Sequence, residues 1–359
     1  MNTEKNELER LGYNDFFEPK RESLDLTQCS IARVIAEHKG TYRAKNTNGE
    51  YLAKITGKHV FNAKRREDFP AVGDWVVITM SDEETAIINE IFKRKTILSK
   101  KHNNRKGAQI IATNIDVAFI VESVGRDFNL NRFERYLVLI NEGNIKPAII
   151  LNKVDLISSG ELDMEIEQIK ERFNDIDIIL TSTITEQGLD ELFEYIKEGK
   201  TYCFLGSSGV GKSSLINKLL GKSKIKTSEI SSATGKGKHT TTSREMYFLE
   251  NGGIVIDNPG TREVGIAEVT NSIENVFDEI HTLSKDCKYA DCTHTHESGC
   301  AVLRALDNKS LDKDKYLNYI RLKKEAEHYE MDDVEKRGKD RKFGKFIKRS
   351  LKELKKIDE

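Results

Sequence analysis

Two short segments carry the residue types that bind nucleotides. Residues 206–213 read GSSGVGKS, which matches G-x-x-x-x-G-K-S, and residues 152–155 read NKVD. The first segment follows an apolar stretch and opens a helical pattern, the context of a phosphate-binding loop. Its glycines let backbone N–H groups face phosphate oxygens, while Lys212 is assigned a catalytic role at the β- and γ-phosphates and Ser213 is placed for Mg²⁺. The predicted phosphate-loop contacts are Gly206, Ser207, Ser208, Gly209, Val210, Gly211, Lys212, Ser213 and Ser214.

The NKVD segment predicts which base the nucleotide carries. The Asp155 carboxylate can accept two hydrogen bonds from guanine N1 and N2, a pattern that adenine does not offer. Asn152 is expected to support the loop and Lys153 to lie along the base. Ser182 and Thr183 align with a serine-alanine pair whose backbone contacts guanine O6, with threonine in place of the usual alanine. GTP and GDP are therefore the expected ligands, and the alternative is an ATPase with a coincidental NKVD.

Acidic and hydroxyl residues further along the chain are suited to Mg²⁺. Asp257 follows a buried-strand pattern in DNPG, where it would hold Mg²⁺ through water and Gly260 would contact the γ-phosphate. Residues 234–245, TGKGKHTTTSRE, resemble a mobile switch loop. One of three threonines there can complete the Mg²⁺ shell, and spacing does not choose among Thr240, Thr241 and Thr242. Thr241 is kept as the candidate.

The order of these motifs is unusual. The base-specificity segments precede the phosphate loop, whereas guanine-nucleotide switches ordinarily place the phosphate loop first. This order predicts a circular permutation, which a domain tolerates when its termini lie close together on the surface. The second switch, DNPGTREVG, then leads directly into the C-terminal part of the chain, so the nucleotide state could move that part.

A cluster of cysteine and histidine residues follows. The ligand set C-x4-C-x-H-x5-C consists of Cys287, Cys292, His294 and Cys300. Soft sulfur and imidazole ligands in this number suit one structural, tetrahedral Zn²⁺ with no open position. His296 and His281 lie near the cluster, and we expect both to be surface residues. A metal site and the absence of a disulfide pattern indicate a reducing compartment.

The remaining sequence predicts the elements that position these motifs. Short β-like runs between residues 31 and 97, with a turn at Asn48-Gly49, indicate a small barrel. Residues 93–106, KRKTILSKKHNNRK, are interpreted as a linker. Alternating strand and helix patterns then predict βαβ units around a mostly parallel sheet. The pattern becomes helical from about residue 275, and residues 336–356 form a basic helix or tail.

Composition limits the remaining possibilities. The net charge is −1, 33% of residues are charged, and no apolar run approaches the length of a membrane span. We therefore expect a cytoplasmic protein that does not associate with membranes. The predicted ranges are an N-terminal extension (1–30), a barrel (31–98), a permuted α/β P-loop domain (107–270), a helical zinc-binding domain (271–330) and a basic tail (331–359).

These features together resemble the ribosome small subunit-dependent GTPase A family (RsgA, also called YjeQ). The permuted motifs, GDWV in the barrel region, GKHTTT and the Cys-Cys-His-Cys cluster carry the resemblance from about residue 31 to 321. The resemblance implies an OB-fold barrel, a permuted GTPase domain and a zinc-binding helical domain. It implies GTP hydrolysis during late maturation of the 30S ribosomal subunit, with hydrolysis favouring release. Thr261 replaces the water-orienting glutamine of Ras-like proteins, and the resemblance assigns that role to His239.

Basic residues are concentrated at the two ends of the chain. In the N-terminal region they are Lys54, Lys58, Lys64, Arg65, Arg66, Lys93, Arg94, Lys95, Lys100, Lys101, Arg105 and Lys106. With a barrel of the OB type, this distribution favours contact with 16S rRNA phosphates. The expected partner is therefore the 30S subunit, bound by a monomer, with no DNA or membrane partner. The alternative is an RNA-binding or chaperone-like module whose nucleotide site is only a slow structural switch.

Overall fold

Strands dominate the described chain before residue 257, and helices dominate after residue 270. The computed structural model describes residues 2–38, 40–101, 108–173, 175–221, 244–257 and 270–330. The strands are β1 (Ser30–His38), β2 (Thr41–Lys45), β3 (Glu50–Ile55), β4 (Trp75–Met80), β5 (Thr85–Ile91), β6 (Ile97–Lys101), β7 (Ala108–Thr113), β8 (Val117–Ser123), β9 (Lys146–Asn152), β10 (Ile178–Thr181), β11 (Thr201–Leu205), β12 (Arg244–Phe248) and β13 (Ile254–Asp257).

The helices have the following bounds: α1 (Asn2–Arg10), α2 (Glu18–Glu22), α3 (Gly57–Asn62), α4 (Leu130–Glu142), α5 (Ser159–Arg172), α6 (Leu189–Tyr195), α7 (Lys212–Leu219), α8 (Thr270–Val276), α9 (Asp278–Ser284), α10 (Ala301–Asp307) and α11 (Lys313–Glu330). Among these described helices, none combines the length and apolarity that crossing a bilayer requires. The chain divides into two compact units, Met1–Val264 and Gly265–Glu359.

The βαβ region predicted from the sequence forms six neighbouring strands in the order β10-β9-β8-β11-β13-β12. All neighbours are parallel except β12, which runs antiparallel to β13. The central strands are buried, and their apolar side chains form a core with α6 and α7 around Phe119 and Phe204. Helix α5 begins with a capping box between Ser158 and Glu161, so its start is set by local sequence.

The predicted small barrel is present and has five strands. Its hydrogen-bonded order is β1-β2-β3-β5-β4, and β4 also pairs with β1, which closes it. The Asn48-Gly49 turn forms as expected, because Asn46 Oδ1 accepts hydrogen bonds from both backbone N–H groups. Beyond the barrel, β1 pairs with β12, with Ala36 opposite Glu245. The barrel and the α/β sheet are therefore joined by backbone hydrogen bonds.

The interpretation of residues 93–106 as a linker was wrong for Ile97–Lys101. These residues form β6, which pairs antiparallel with β7 in a separate two-stranded ribbon. Leu98 is fully buried, so an apolar side chain of this basic segment lies in the core. Residues 102–107 lie outside the described ranges.

A buried charged cluster connects the N-terminal helices, the barrel and the α/β sheet. Arg33 on β1 is fully buried and donates hydrogen bonds to the carbonyl oxygens of Leu11 (2.5 Å), Gly73 (3.3 Å) and Asn114 (3.1 Å). Burial lowers its pKa to about 10, and the charges of Asp116 and Asp74 oppose that change. One side chain therefore ties together three segments that are distant in sequence.

The neighbouring Asp74, within the GDWV segment, is also fully buried. Its carboxylate accepts hydrogen bonds from Arg94 Nε (2.8 Å) and Nη2 (2.7 Å), from Thr113 Oγ1 (2.7 Å) and from the Ala71 N–H (2.8 Å). Gly73 precedes it with φ of +99°, and a Cβ there would lie 2.1 Å from the Thr113 carbonyl oxygen. This turn therefore requires glycine and brings β4 against β7.

We predict that Asp74→Asn lowers the free energy of unfolding by about 3–5 kcal/mol, because it leaves the Arg94 guanidinium buried without its counter-charge. Urea unfolding followed by the fluorescence of the single tryptophan, Trp75, measures this loss. The control is Glu90→Gln, which removes an exposed partner of Lys20 and is expected to cost under about 1 kcal/mol. Equal losses in the two variants would contradict the central role of Asp74.

Candidate nucleotide site and metal centre

The predicted phosphate loop lies between the end of β11 and the start of α7, at the carboxyl edge of the parallel sheet. Gly209 and Gly211 have φ of +86° and +103°, a region that favours glycine. A Cβ on Gly211 would lie 2.2 Å from Asn152 Nδ2, and a Cβ on Gly206 would lie 2.2 Å from the Val121 carbonyl oxygen. The loop is therefore held tightly against β8 and β9 and leads into a helix N-terminus, an arrangement suited to anions.

Lys212 is the first residue of α7 and its ammonium group turns back into the loop. Nζ donates hydrogen bonds to the carbonyl oxygens of Gly206 (2.7 Å) and Ser207 (2.6 Å). Ser213 and Ser214 follow on the first turn of the helix and are half-buried. The cation is thus placed where a bound phosphate would meet it.

The NKVD segment contacts the phosphate loop directly. Asn152, fully buried at the end of β9, donates through Nδ2 to the Val210 carbonyl oxygen at 2.7 Å. Lys153 Nζ donates to the Gly209 carbonyl oxygen at 2.6 Å. Thr181 Oγ1 donates to Asn152 Oδ1 at 3.0 Å, which adds the end of β10 to the same network. The structure therefore brings the base-specificity segments and the phosphate loop together.

The two expected base-contacting loops lie at this edge. Asp155 is exposed in a turn of 3₁₀ helix, Val154–Leu156. Ser182 is buried after β10, where its N–H donates to the Gln187 carbonyl oxygen and its Oγ accepts from the N–H groups of Ile184 and Thr185. Parallel pairing of Thr181 with Asn152 places these loops side by side.

Asp257 is the last residue of β13 and is buried. Its strand is the parallel neighbour of β11, which leads into the phosphate loop, so Asp257 belongs to the same edge of the sheet. On the other side it lies opposite Glu245 of β12. His239, Thr241 and Gly260 lie outside the described residues, and their roles remain predictions.

Sequence reasoning missed one ionisable residue near the loop, Glu122. It is fully buried at the end of β8, where Oε1 accepts a hydrogen bond from Arg132 at 2.7 Å. Among the described residues, none forms a hydrogen bond with its Oε2. Burial raises the pKa of Glu122 to about 7, and the charges of Arg132 and Lys212 oppose that rise. The sequence feature that could have revealed Glu122 is its position as the single acidic residue in the apolar run VAFIVES.

A second link runs from α4 to the phosphate loop. Tyr136 shares a hydrogen bond with Ser207, and burial raises the Tyr136 pKa to about 12. Arg132, one turn earlier on the helix, holds Glu122 and donates to the Asp127 carbonyl oxygen at 3.0 Å. Helix α4 thus contacts both the loop and the strand beside it.

The four predicted metal ligands meet in the second unit. Their ligand atoms all lie within 4.8 Å of one another. His294 Nδ1 is 3.6 Å from Cys287 Sγ and 3.5 Å from Cys300 Sγ, and those two sulfur atoms are 3.8 Å apart. Sulfur atoms bound tetrahedrally at about 2.3 Å would be roughly 3.8 Å apart. The donor set and spacing therefore fit one tetrahedral soft cation.

Surrounding groups hold these ligands in place. The N–H groups of Ala301 and Leu303, at the start of α10, donate to the sulfur atoms of Cys287 and Cys300, each at 3.4 Å. Tyr316 on α11 donates to the His294 carbonyl oxygen at 2.8 Å. Burial lowers the pKa of His294 and favours the neutral imidazole that binds metal. His296 contacts Thr295, and His281 contacts Glu274, so neither belongs to the cluster.

Comparison with known proteins identifies the family. A family model described as RsgA GTPase matches residues 91–267. The small ribosomal subunit biogenesis GTPase RsgA 1 of Bacteroides thetaiotaomicron is 39% identical, with 97% of each chain covered. The chain belongs to the RsgA GTPase family. The protein is accordingly a hydrolase acting on GTP, and the interpretation of NKVD as a coincidence in an ATPase is wrong.

Solved structures agree with this membership. The crystal structure of YjeQ from Thermotoga maritima matches with a TM-score of 0.60 and 26% identity, and the match covers 82% of this chain and 97% of that one. The circularly permuted GTPase YloQ matches with a TM-score of 0.57 and 24% identity, covering 86% and 100%. The circular permutation predicted from motif order is confirmed. For this member of the RsgA GTPase family, the individual nucleotide contacts remain predictions.

We predict that Glu122→Gln changes how stability depends on pH. Below about pH 4.5 the carboxyl is protonated in both folded and unfolded states, so its raised pKa costs nothing. Between about pH 4.5 and about pH 7 the unfolded state releases this proton while the folded state keeps it, so stability falls; above about pH 7 the carboxyl is ionised in both states and the loss levels off. The unfolding free energy of the variant relative to the parent should therefore rise by about 3 kcal/mol between pH 4.5 and pH 8.

Denaturant titrations at several pH values measure this difference. The glutamine oxygen can still accept the hydrogen bond from Arg132, and the charge of Arg132 already contributes to the pKa of Glu122, so the pH-dependent part of the difference is diagnostic. Glu171→Gln removes an exposed carboxylate of α5 and serves as the control. If the stability difference for Glu122→Gln is as flat with pH as it is for the control, Glu122 is ionised throughout and our account of it fails.

Proposed function

We propose that this GTPase binds the small (30S) ribosomal subunit through 16S rRNA, assists its late maturation, and leaves after GTP hydrolysis. The observation that carries the proposal is the match to a small ribosomal subunit biogenesis GTPase over 97% of both chains. Coverage of this extent includes the barrel and the Cys/His unit as well as the GTPase domain. The whole set of parts that such a factor uses is therefore available here.

The surface of the barrel supports RNA as the partner. The side chains of Lys54, Lys58, Lys64 and Arg65 are exposed. On α3, Phe61 is 90% exposed, an unusual position for a phenylalanine in a folded domain. Cations that reach phosphates and aromatic rings that stack on bases are the groups that small β-barrels use to bind single-stranded nucleic acid. A ribosomal partner also implies the cytoplasm, where a monomer would act.

The nucleotide site supports binding of GTP with Mg²⁺. Lys212 would bind the β- and γ-phosphates, while Ser213 and Asp257 would hold Mg²⁺, the latter through water. A bound Mg²⁺ would neutralise charge that develops on the phosphate oxygens. Asp155 would select guanine. Because the Ser182 N–H is already bonded to Gln187, Thr183 is the better donor for guanine O6.

Three further assignments rest on residues beyond the described ranges. Thr241 would complete the Mg²⁺ shell, and Gly260 would contact the γ-phosphate through its N–H. Thr261 follows D-x-x-G where Ras-like proteins carry a water-orienting glutamine, and the family resemblance gives that role to His239. All three assignments come from motif alignment.

The deciding experiment measures turnover of GTP and ATP by the full-length protein, alone and with stoichiometric 30S subunits. We expect hydrolysis of GTP only, and a marked rise when subunits are added. A GTP turnover rate that is the same with and without subunits would contradict the ribosomal part of the proposal and leave the GTPase assignment intact. Weakening of subunit binding with increasing salt would accompany RNA contact.

The same assay with Asp155→Asn tests base selection. Xanthine presents an acceptor at C2 where guanine presents a donor, so an amide at position 155 should favour XTP over GTP. If the variant still prefers GTP, Asp155 does not select the base.

We propose zinc as the ion of the second unit, because three thiolates and one imidazole with no open position form a typical structural zinc site. Purified protein should contain one equivalent of zinc, and Cys300→Ser should lose it. Structural zinc contributes on the order of 10 kcal/mol in small domains, so a strong chelator should unfold the helices around the cluster. Elemental analysis and circular dichroism measure both effects.

Cys29→Ser is the matched control, because Cys29 is a free cysteine in the first unit. Full zinc content in Cys300→Ser, or a parent protein that contains none, would contradict the assignment.

A further inference from the structure

A cleft of about 440 Å³ lies where the barrel meets the α/β sheet. Its volume is within the range that accommodates a small ligand or a single nucleotide. It lies apart from the phosphate loop, since none of residues 206–214 lines it. Six of its lining residues are Glu37, Tyr42, Lys64, Arg65, Phe69 and Arg244.

The cleft carries more positive than negative charge. Three cationic side chains line it, and among its described lining residues Glu37 is the one acid. Arg244 Nη1 lies 3.9 Å from a Glu37 carboxylate oxygen, a long ion pair at the edge of the cleft. Burial lowers the pKa of nearby Lys100, and the charge of Arg244 lowers it further. An anion entering the cleft would relieve this repulsion.

The cations at the mouth are presented by an anchored loop. The backbone N–H groups of Lys64 and Arg65 donate to Asp68 Oδ2 at 2.8 and 2.9 Å. Arg94 donates to the carbonyl oxygens of Glu67 (2.7 Å) and Phe69 (2.9 Å), which ties the loop to the buried Asp74 cluster. The side chains of Lys64 and Arg65 are exposed while their backbone is fixed. The site is therefore preformed.

The cleft also offers an aromatic surface. Phe69 is half-buried, and its ring makes an edge-to-face contact with His59 at 6.3 Å between centroids. A ring beside several cations suits a ligand that carries both a planar base and a phosphate, because stacking and ion pairing then act together. A simple inorganic anion would use only the cations, and an acidic protein segment would have no need of the ring.

The floor of the cleft connects with the nucleotide site. Arg244 is the first residue of β12 and donates to the Ile110 carbonyl oxygen at 2.9 Å. The next residue, Glu245, lies opposite Asp257, the predicted Mg²⁺ residue, in the pairing of β12 with β13. A ligand bound to Arg244 would therefore contact β12, the strand that pairs with the strand carrying Asp257.

We propose that this cleft binds an unpaired nucleotide of 16S rRNA, its phosphate on Lys64, Arg65 and Arg244 and its base against Phe69, and that its occupancy accelerates GTP hydrolysis through β12. The inference rests on the proposed function, since it takes the 30S subunit as the source of the RNA. It goes further because it identifies the contact through which a bound subunit would stimulate GTP hydrolysis.

The test compares two double variants of the full-length protein. Lys64→Gln with Arg65→Gln removes the cations at the mouth of the cleft. Lys170→Gln with Lys197→Gln removes the same charge from exposed positions that do not line the cleft and that carry no assigned RNA contact. Binding of 30S subunits is measured over a range of salt concentrations, and GTP turnover is measured with and without saturating subunits.

We expect the cleft variant to keep the parental turnover in the absence of subunits. Its affinity for subunits should fall, with a salt slope lower by about two, and its stimulated turnover should fall about tenfold even at saturation. The control variant should retain full stimulation. Equal behaviour of the two variants, or full stimulation of the cleft variant, would overturn the inference. If 30S subunits do not stimulate GTP turnover by the parent protein, the proposed function itself is contradicted.

A photocrosslink identifies the ligand. Benzoylphenylalanine in place of Phe69 should attach, on irradiation with 30S subunits, to material that ribonuclease removes. Attachment only to ribosomal protein would overturn the assignment of RNA to this cleft.

Discussion

The buried carboxylate of Asp74 is the constraint on which the first unit depends. A charge out of water is tolerated only when counter-charges and hydrogen bonds surround it, and here they come from Arg94, Thr113 and the Ala71 backbone. These groups belong to the barrel, the ribbon and the intervening loop. Their geometry must therefore be correct at the same time, and a displaced barrel would leave the charge without partners.

Arg33 extends the same constraint to the N-terminal segment. Its guanidinium donates to three backbone carbonyl oxygens, and within the described part of the chain no carboxylate lies within hydrogen-bonding distance of it. Carbonyl dipoles can stabilise a buried cation, but only if the three chain segments keep fixed positions. The residues before β1 thus form part of the first unit, and Tyr13 and Phe17 pack in its core with Trp75.

Much of this architecture could be predicted from the sequence because it depends on local pattern. The apolar runs of β8, β9 and β11 and the phosphate loop have short-range signals, and the metal cluster spans few residues. The charged residues within strands could not be interpreted in the same way. Arg33 in SIARVIAEH and Glu122 in VAFIVES are buried because of partners elsewhere in the chain. The β6 segment was misread because its basic residues concealed the buried Leu98, which lies opposite Ala112 of β7.

The permuted order changes which contacts are local. Asn152 and the phosphate loop are far apart in sequence, yet Asn152 holds the Val210 carbonyl oxygen and Lys153 holds that of Gly209. The loop that would bind the base therefore also sets the shape of the loop that would bind the phosphates. On the opposite side of β11, β13 and β12 connect the same edge to the barrel through the pairing of Glu245 and Ala36. A change at the barrel surface and a change at the phosphate loop thus act on one hydrogen-bonded sheet, which is the physical requirement for a GTPase whose activity responds to its partner.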